Sequence, residues 1–305
     1  MALATRFKAL ADETRLRILN LTLAQELNVQ EIEEILAMGQ SRISRHLRIL
    51  ADCGLLSCRR DGLWAFYRVP AEGPARELLG AVTPLLAGEP LLARDRERAL
   101  ELMAAGRGRS RKFFDALAPE WDRRKRELLG GGQLEAAVLS RLPACAVAAD
   151  LGCGTGALLT GMAEKAAAVI GVDSSPRMLE LARRACAGRG QAVQLRLGEL
   201  EHLPLREGEA EAAVLNLVLH HLRAPAEGLR EAHRVLKPGG TLVLADLDSH
   251  QEEELRRSFG DRWLGFAPGE LESWLAETGF DIENQSGMPL QRGLTARIIV
   301  ARRNE

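Results

Sequence analysis

The sequence has no paired-cysteine motif, no long apolar run and almost no net charge, and each absence removes a class of protein. Its five cysteines are odd in number and none stands in a Cys-x-x-Cys pair. That argues against a disulfide framework and suits a reducing compartment. No stretch approaches the ~20 apolar residues needed to span a bilayer, and the first residues show no signal-peptide pattern. A cytoplasmic location without membrane association is therefore expected. A formal net charge of −1 gives no global field toward nucleic acid or membrane, so any such preference must be local. No repeat recurs at a solenoid period. What is present is an ordinary globular composition, 46% hydrophobic over 305 residues, with length enough for two domains.

One stretch organises the chain. Ala146 to Ala149 is a short apolar run ending in Asp150, followed by glycines at alternate positions, Gly152, Gly154 and Gly156, with Cys153 between the first two. Leu158, Leu159, Met162 and Ala163 then repeat at helical spacing. Strand, tight glycine turn and helix open a nucleotide-binding βαβ unit, and the glycines permit backbone angles closed to other residues. A second apolar strand, Ala168 to Val172, ends in Asp173, placed to accept hydrogen bonds from the two hydroxyls of a ribose. A dinucleotide fold asks for G-x-G-x-x-G, whereas the spacing here is G-x-G-x-G with an acid two residues ahead. That carboxylate would repel a pyrophosphate but can hold an ammonium group, so the expected ligand is an adenosine bearing an amino acid.

The N-terminal part reads as short helices and a hairpin. Asp12 caps a helix with Leu16, Leu19 and Leu23 on one face. Val29 to Leu36 turns Ile32, Ile35 and Leu36 inward, and Ser41 to Ala51 buries Ile43, Leu47 and Leu50. Two helices joined by a short glycine-containing turn give a helix-turn-helix outline. The outer face of the second helix and its start carry Gln40, Ser41, Arg42, Ser44, Arg45, His46 and Arg48. Leu55 to Val69 reads as a hairpin around Asp61-Gly62, with Arg59 and Arg60 beside its tip. From Gln40 to Pro70 six Arg face two Asp, a local charge of +4, where a recognition helix and wing would touch double-stranded DNA. On pattern alone, a solvated basic face on a protein-binding module is the competing reading.

Between these parts, Leu91 to Ala105 reads as a charged helix and Gly106 to Ser110 as a basic, flexible joint. Cys53 and Cys58 lie at the end of the second helix of the pair and in the first wing strand, where buried thiols are expected. Past the glycine loop, Ser174-Ser-Pro176 starts a helix that includes Met178, Val193 to Leu197 forms a third strand leading to Gly198-Glu199-Leu200, and Ala212 to Val218 a fourth with Asn216 near its carboxyl end. Leu229 to Leu236 is expected as a helix ended by Lys237-Pro-Gly-Gly240, and Thr241 to Ala245 as the fifth strand. Gln251 to Trp263 and Pro268 to Glu277 read as helices, and Phe280 to Asn284 and Thr295 to Ala301 as the last strands.

Asp150-Leu-Gly-Cys-Gly-Thr-Gly156, Gly171-Val-Asp173 and Leu236-Lys-Pro-Gly-Gly240 resemble motifs of class I S-adenosylmethionine (SAM) methyltransferases. Leu10 to Leu19, Ser41 to Leu47 and Gly62 to Arg68 resemble the ArsR-type winged helix-turn-helix regulators. The fold implied is multidomain: a winged helix-turn-helix over residues 1–88, a helical linker over 89–112 and a Rossmann-like, seven-stranded α/β domain over 113–305. By the resemblance, SAM or S-adenosylhomocysteine contacts Asp150, Gly152, Cys153, Gly154, Gly156, Asp173, Ser174, Met178, Gly198, Glu199, Leu200 and Asn216. Phe113 to Asp122 looks like a lid segment of quinone-pathway relatives, with Trp121 closing over the cofactor; an ordinary amphipathic helix over the sheet is the alternative. The regulator family implies a homodimer on a palindromic operator, read by Gln40, Ser41, Arg42, Ser44, Arg45 and His46, with Arg59 and Arg60 on the wing. Its metal-sensing members carry Cys-x-Cys where this chain has Asn28-Val29-Gln30, and Glu72 to Leu86 holds no His, so no metal is expected. His220 and His221 are the candidate bases for methyl transfer. The functional expectation is a repressor whose methyltransferase-like domain senses SAM or S-adenosylhomocysteine. The alternative is a small-molecule methyltransferase that also controls its own operon.

Overall fold

The first helix, α1 (Ala2–Leu10), leads into Asp12, whose carboxylate accepts the Arg15 N–H at 3.0 Å and starts α2 (Glu13–Ala24). The α2 face differs from the expected Leu stripe. Ile18, Leu19 and Leu21 are buried, but so are Arg17 and Asn20, while Leu16 and Leu23 pack only at the edge. A two-residue strand β1 (Leu27–Asn28) precedes α3 (Val29–Leu36), which opens on a reciprocal capping box between Asn28 and Glu31 and ends at Ala37 in the left-handed region, φ +52°. Then come α4 (Gln40–Asp52), β2 (Ser57–Asp61), β3 (Trp64–Arg68) and α5 (Pro74–Leu86). Ile43, Leu47 and Leu50 of α4 are fully buried, as expected, and the sheet order is β1-β3-β2, all antiparallel. The computed structural model describes residues 2–61, 64–86, 88–130, 132–188 and 192–305, so the expected Gly62 turn lies outside the described residues.

By internal contacts the chain divides into Met1–Arg109 and Ser110–Glu305, and α6 (Pro90–Leu117) contributes to both. The expected break at Gly106 to Ser110 is absent: the backbone stays helical there. Two glycines cost a helix only about 1 kcal/mol each, and the flanking Ala, Leu, Met and Arg residues favour it.

In the second unit the elements run α7 (Trp121–Leu129), α8 (Gln133–Arg141), β4 (Cys145–Leu151), α9 (Leu159–Met162), β5 (Ala166–Asp173), α10 (Pro176–Ala185), β6 (Val193–Leu197) and β7 (Ala210–Asn216). They continue with α11 (Pro225–Val235), β8 (Leu236–Leu247), α12 (Glu254–Ser258), α13 (Glu270–Glu277), β9 (Phe280–Pro289) and β10 (Thr295–Arg303). The strand order is β6-β5-β4-β7-β8-β10-β9, parallel through β8 and antiparallel at β10 and β9. The order reverses between β4 and β7, so the carboxyl ends of β4, β5 and β7 surround the crevice where open α/β sheets bind ligands. Both sheet faces carry apolar cores, Ala149, Leu151 and Leu215 among the residues of one and Ala148, Val169 and Val214 of the other.

Two boundaries depart from expectation. Lys237 to Gly240 is already strand, because Leu236 pairs with Ala210 and a bulge between Ala210 and Ala212 restores the register. The expected helix over Gln251 to Trp263 survives only as α12. Beyond it Gly260 takes φ +78°, and the N–H groups of Arg262 and Trp263 donate to the His220 carbonyl at 2.9 and 3.0 Å. Tertiary hydrogen bonds there replace the helical ones.

The missing part of the α2 stripe is an ion pair. Arg17 donates from Nε and a terminal nitrogen to both oxygens of Asp95 at 2.7 and 2.8 Å, with side chains 9% and 1% exposed. The hydrogen bond to Asp95 holds the guanidinium pKa above its ordinary value against the opposing effect of burial. Removing one partner of such a pair leaves a buried charge and costs roughly 3–5 kcal/mol, whereas replacing both by apolar residues is close to neutral. Asp95→Leu is therefore expected to lower the denaturation midpoint of the full chain sharply, and Arg17→Met with Asp95→Leu to recover most of the loss. Equal destabilisation by the single and double variants would contradict this account.

Candidate functional site

The glycine turn is held by β5. The N–H groups of Gly152 and Cys153 both donate to the Val172 carbonyl at 2.8 Å. The N–H of Gly154 donates to Asp173 Oδ2 at 2.9 Å, and that of Ser175 to Oδ1 at 2.8 Å. Gly152, Gly154 and Gly156 have φ of +85°, +52° and +87°, which only glycine adopts without strain. A Cβ on Gly152 would also lie 2.5 Å from Val218 Cγ2, and one on Gly156 3.1 Å from the Ala182 Cα. The turn is thus fixed by backbone angles and by neighbours on both sides.

Two carboxylates flank it. Asp150 is buried at the end of β4; desolvation raises its pKa to about 7, Lys125 opposes the rise and Asp173 adds to it. Burial likewise raises Asp173, and its backbone N–H donors pull the other way. Each Asp173 oxygen keeps a second lone pair for a hydroxyl donor. An ammonium beside Asp150 would offset its desolvation. Asn216 ends β7 with its buried Oδ1 lacking a hydrogen-bond partner, an open acceptor in the same crevice. These observations fit an amino-acid-bearing adenosine.

The other expected contacts divide. The Gly198 N–H donates to the Asp173 carbonyl at 3.0 Å, placing Gly198 and half-buried Glu199 next to the second acid. Ser174 lies at the same strand tip, and Ser175 supplies the cap, its Oγ accepting the Met178 N–H at 3.0 Å. The side chains of Cys153, Met178 and Leu200 are buried. Cys153 and Leu200 belong to the apolar cores, and Cys153 Sγ packs against Gly171. Burial pushes the Cys153 thiol pKa well up, so its backbone, not its sulfur, is what it can offer a ligand.

Over the turn stands an aromatic cluster. Trp121 Nε1 would lie 3.7 Å from a Cβ on Gly154, and the Trp121 ring meets Phe114 at 5.7 Å, Phe259 at 5.9 Å and His221 at 6.3 Å between centroids. Two acids of this segment tie it down. Asp122 accepts the Thr155 hydroxyl at 2.6 Å, and Asp115 accepts the Ser175 hydroxyl at 2.6 Å. Both are in the Phe113 to Asp122 stretch, and nothing in their spacing marks them.

The two histidines are unlike. His220 Nδ1 lies 2.5 Å from Asp246 Oδ1; burial alone would lower its pKa, but Asp246 and Asp261 outweigh that and raise it to about 9. His221 is pushed well below the ordinary value by burial and by its charged neighbour. At neutral pH, His220 is a clamped cation and His221 a neutral ring. Of the two, only His221 is suited to accept a proton.

In the first unit, Gln40, Ser41, Arg42, Arg45 and Arg48 are exposed on α4 and Ser44 is half-buried. Arg42 reaches the Thr14 hydroxyl at 3.4 Å. His46 is partly buried, with Nδ1 3.7 Å from Asp12 and a pKa lowered by burial. Arg60 is exposed, but Arg59 is engaged: it pairs with Glu26 at 2.9 Å and lies 4.6 Å over the Phe66 ring. Cys53 is half-buried and packs against the apolar core, whereas Cys58, paired across the hairpin with Tyr67, is exposed, contrary to the expected buried thiol. No helix among the described residues is long and apolar enough to cross a membrane.

Comparison with known proteins fits both units. The bacterial regulatory protein arsR family model matches residues 12–57, and the methyltransferase domain model residues 149–244. An uncharacterized 37.1 kDa transposon protein of Streptomyces fradiae is 44% identical over 104 residues, 33% of this chain; the chain covers only 30% of its length. The ubiquinone biosynthesis O-methyltransferase of Xanthomonas axonopodis pv. citri is 28% identical over 194 residues, 57% of this chain and 81% of that protein. A SAM-dependent methyltransferase from Thermotoga maritima superposes with a TM-score of 0.52 at 22% identity, over 63% of this chain and 99% of that one, which shows the shared fold. One chain thus joins a region matching the arsR-family helix-turn-helix to a region matching the methyltransferase domain, and the second unit has the fold of SAM-dependent methyltransferases.

Proposed function

We propose that the chain is a dimeric repressor that binds a palindromic operator and takes SAM or S-adenosylhomocysteine in its C-terminal unit as the signal. The observation that carries this reading is the presence in one chain of an exposed basic helix, α4, and a glycine turn flanked by Asp150 and Asp173. The first offers donors to base edges and phosphates. The second matches a ligand with an ammonium at one end and a ribose at the other. A ligand acts as a switch to the extent that it binds the DNA-competent and DNA-incompetent states unequally. The deciding experiment starts from a duplex recovered by in vitro selection, to which binding is titrated at fixed salt with each ligand separately. A large shift with one ligand identifies the signal, and no shift with either, despite tight binding, rejects the sensor.

A second reading, methyl transfer to a small acceptor, draws on the neutral His221 within the aromatic cluster and on the O-methyltransferase among the relatives. Methyl transfer from a sulfonium depends chiefly on proximity, with a base for poorly nucleophilic acceptors. Turnover of SAM in the presence of phenolic acceptors, lost in His221→Ala, is its test.

Three outcomes are expected. Arg45→Ala weakens binding to the selected duplex by about tenfold or more, ~1–3 kcal/mol for a base contact, whereas Arg60→Ala weakens binding to all duplexes and lowers the salt slope by about 1. Gly154→Val, forced to positive φ beneath Trp121, abolishes ligand response and leaves unliganded DNA affinity intact. For Asp150 the folded pKa of about 7 lies above the unfolded value of ~3.9. Its contribution to the stability of the ligand-free protein is fully present below the unfolded pKa and lost as pH rises through about 7. Binding of an ammonium needs the ionised form, so calorimetric affinity for S-adenosylhomocysteine rises as pH increases through about 7, and Asp150→Asn flattens that rise.

A further inference from the structure

Three side chains converge beyond the glycine turn. His220 and His221, in the short turn Leu219–His221, and Asp261 bring ligand atoms within 4.8 Å of one another. His220 Nε2 lies 3.7 Å and His221 Nδ1 3.6 Å from Asp261 Oδ1, and the side chains are 6%, 9% and 2% exposed. Neither ring nitrogen of His221 has a hydrogen-bond partner of normal length. Its polar neighbours are Asp261 and the backbone of Gly260. A buried imidazole left in that state is costly. His220 is the opposite case: Asp246 occupies Nδ1 and leaves Nε2 turned toward Asp261. A carboxylate on the far nitrogen is how metal-bound histidines are oriented and their tautomer fixed.

We propose that His220 Nε2, His221 Nδ1 and the Asp261 carboxylate form a site for one divalent transition-metal ion that accepts mixed nitrogen and oxygen ligands, with Asp246 as the positioning residue. Bond lengths of ~2.0–2.2 Å to such an ion put tetrahedral ligand atoms about 3.3 Å apart. The two separations from Asp261, 3.6 and 3.7 Å, need to close by a few tenths of an ångström, and the two imidazole nitrogens, which lie within 4.8 Å of each other, close further by rotation of the rings. The backbone is already fixed for this, since Arg262 and Trp263 donate to the His220 carbonyl and the Trp263 indole N–H to the Leu222 carbonyl at 2.8 Å. Three protein ligands leave one position for an external oxygen or nitrogen donor, and the Phe114 ring, 5.0 Å from His221, stands close by. Neither the sensor nor the enzyme reading is required.

The test uses the full-length protein, stripped with chelator and titrated with Zn²⁺ against a chromophoric competitor, then with Co²⁺ followed by visible absorption. The expected result is one tightly held ion per chain and a cobalt spectrum of nitrogen and oxygen ligation. Binding is lost in His221→Ala and in Asp261→Asn, weakened roughly 10–100-fold in Asp246→Asn, and unchanged in the exposed control His202→Ala. Failure of the wild-type protein to retain Zn²⁺, unaltered binding in both ligand variants, or a thiolate-to-cobalt charge-transfer band would each overturn the assignment. The wild-type cobalt spectrum decides the matter even where a variant does not fold.

Discussion

The paired backbone donors on Asp173 hold the second unit's site together. One carboxylate accepts the N–H of Gly154 from the loop after β4 and the N–H of Ser175 from the start of α10, so two loops from adjacent parallel strands are cross-linked at the sheet's carboxyl edge. Charge-assisted bonds of this kind are roughly twice as strong as neutral ones. The glycines do not create the turn's shape by flexibility. They allow the backbone to reach the carboxylate in angles that place Gly152 against Val218 and Gly156 against Ala182.

Around that cross-link, charge is arranged in layers of increasing burial. Asp115 and Asp122 receive hydroxyl protons and fasten the aromatic segment to the loops. Asp150 is left deeper, with Lys125 offsetting part of its desolvation. Asp246 is fully buried, and besides His220 it accepts the N–H groups of Leu219 and Leu247 at 3.0 and 2.8 Å. Asp246 is saturated by protein donors and organises the chain around it, whereas the burial of Asp150 is offset only in part, by Lys125.

Much of this was legible in the chain, and the exceptions share a cause. The glycine spacing, the two strand-end acids and the α4 stripe were readable because local geometry fixes them: period, cap and turn each act over a few residues. Lost were relations between distant residues. Asp95 sits in the charged helix expected over Leu91 to Ala105, where no local pattern sets it apart, and its pairing with Arg17 accounts for its burial. Asp261 carries no motif, and its approach to His220 and His221 depends on the chain folding back after α12. Arg59 matched the expected basic wing by type, yet Glu26 and Phe66 claim it. Tertiary partners override what type and spacing suggest.

On the proposed function, the two candidate signals differ by one methyl group and one positive charge at sulfur, and the aromatic segment is where that difference can be felt. Rings of Phe114, Trp121 and Phe259 stand together beside the glycine turn. A cation over a ring face gains about 0.5–2 kcal/mol, more when water is excluded, and a neutral thioether gains only dispersion. Useful coupling between two sites is typically about 1–3 kcal/mol, so a difference of that size between the ligands is enough to separate them, provided the segment packs differently in the two DNA-binding states. Asp115, in the last turn of α6, accepts the Ser175 hydroxyl next to Asp173, so the aromatic segment is tied directly to the strand tip that carries the second acid.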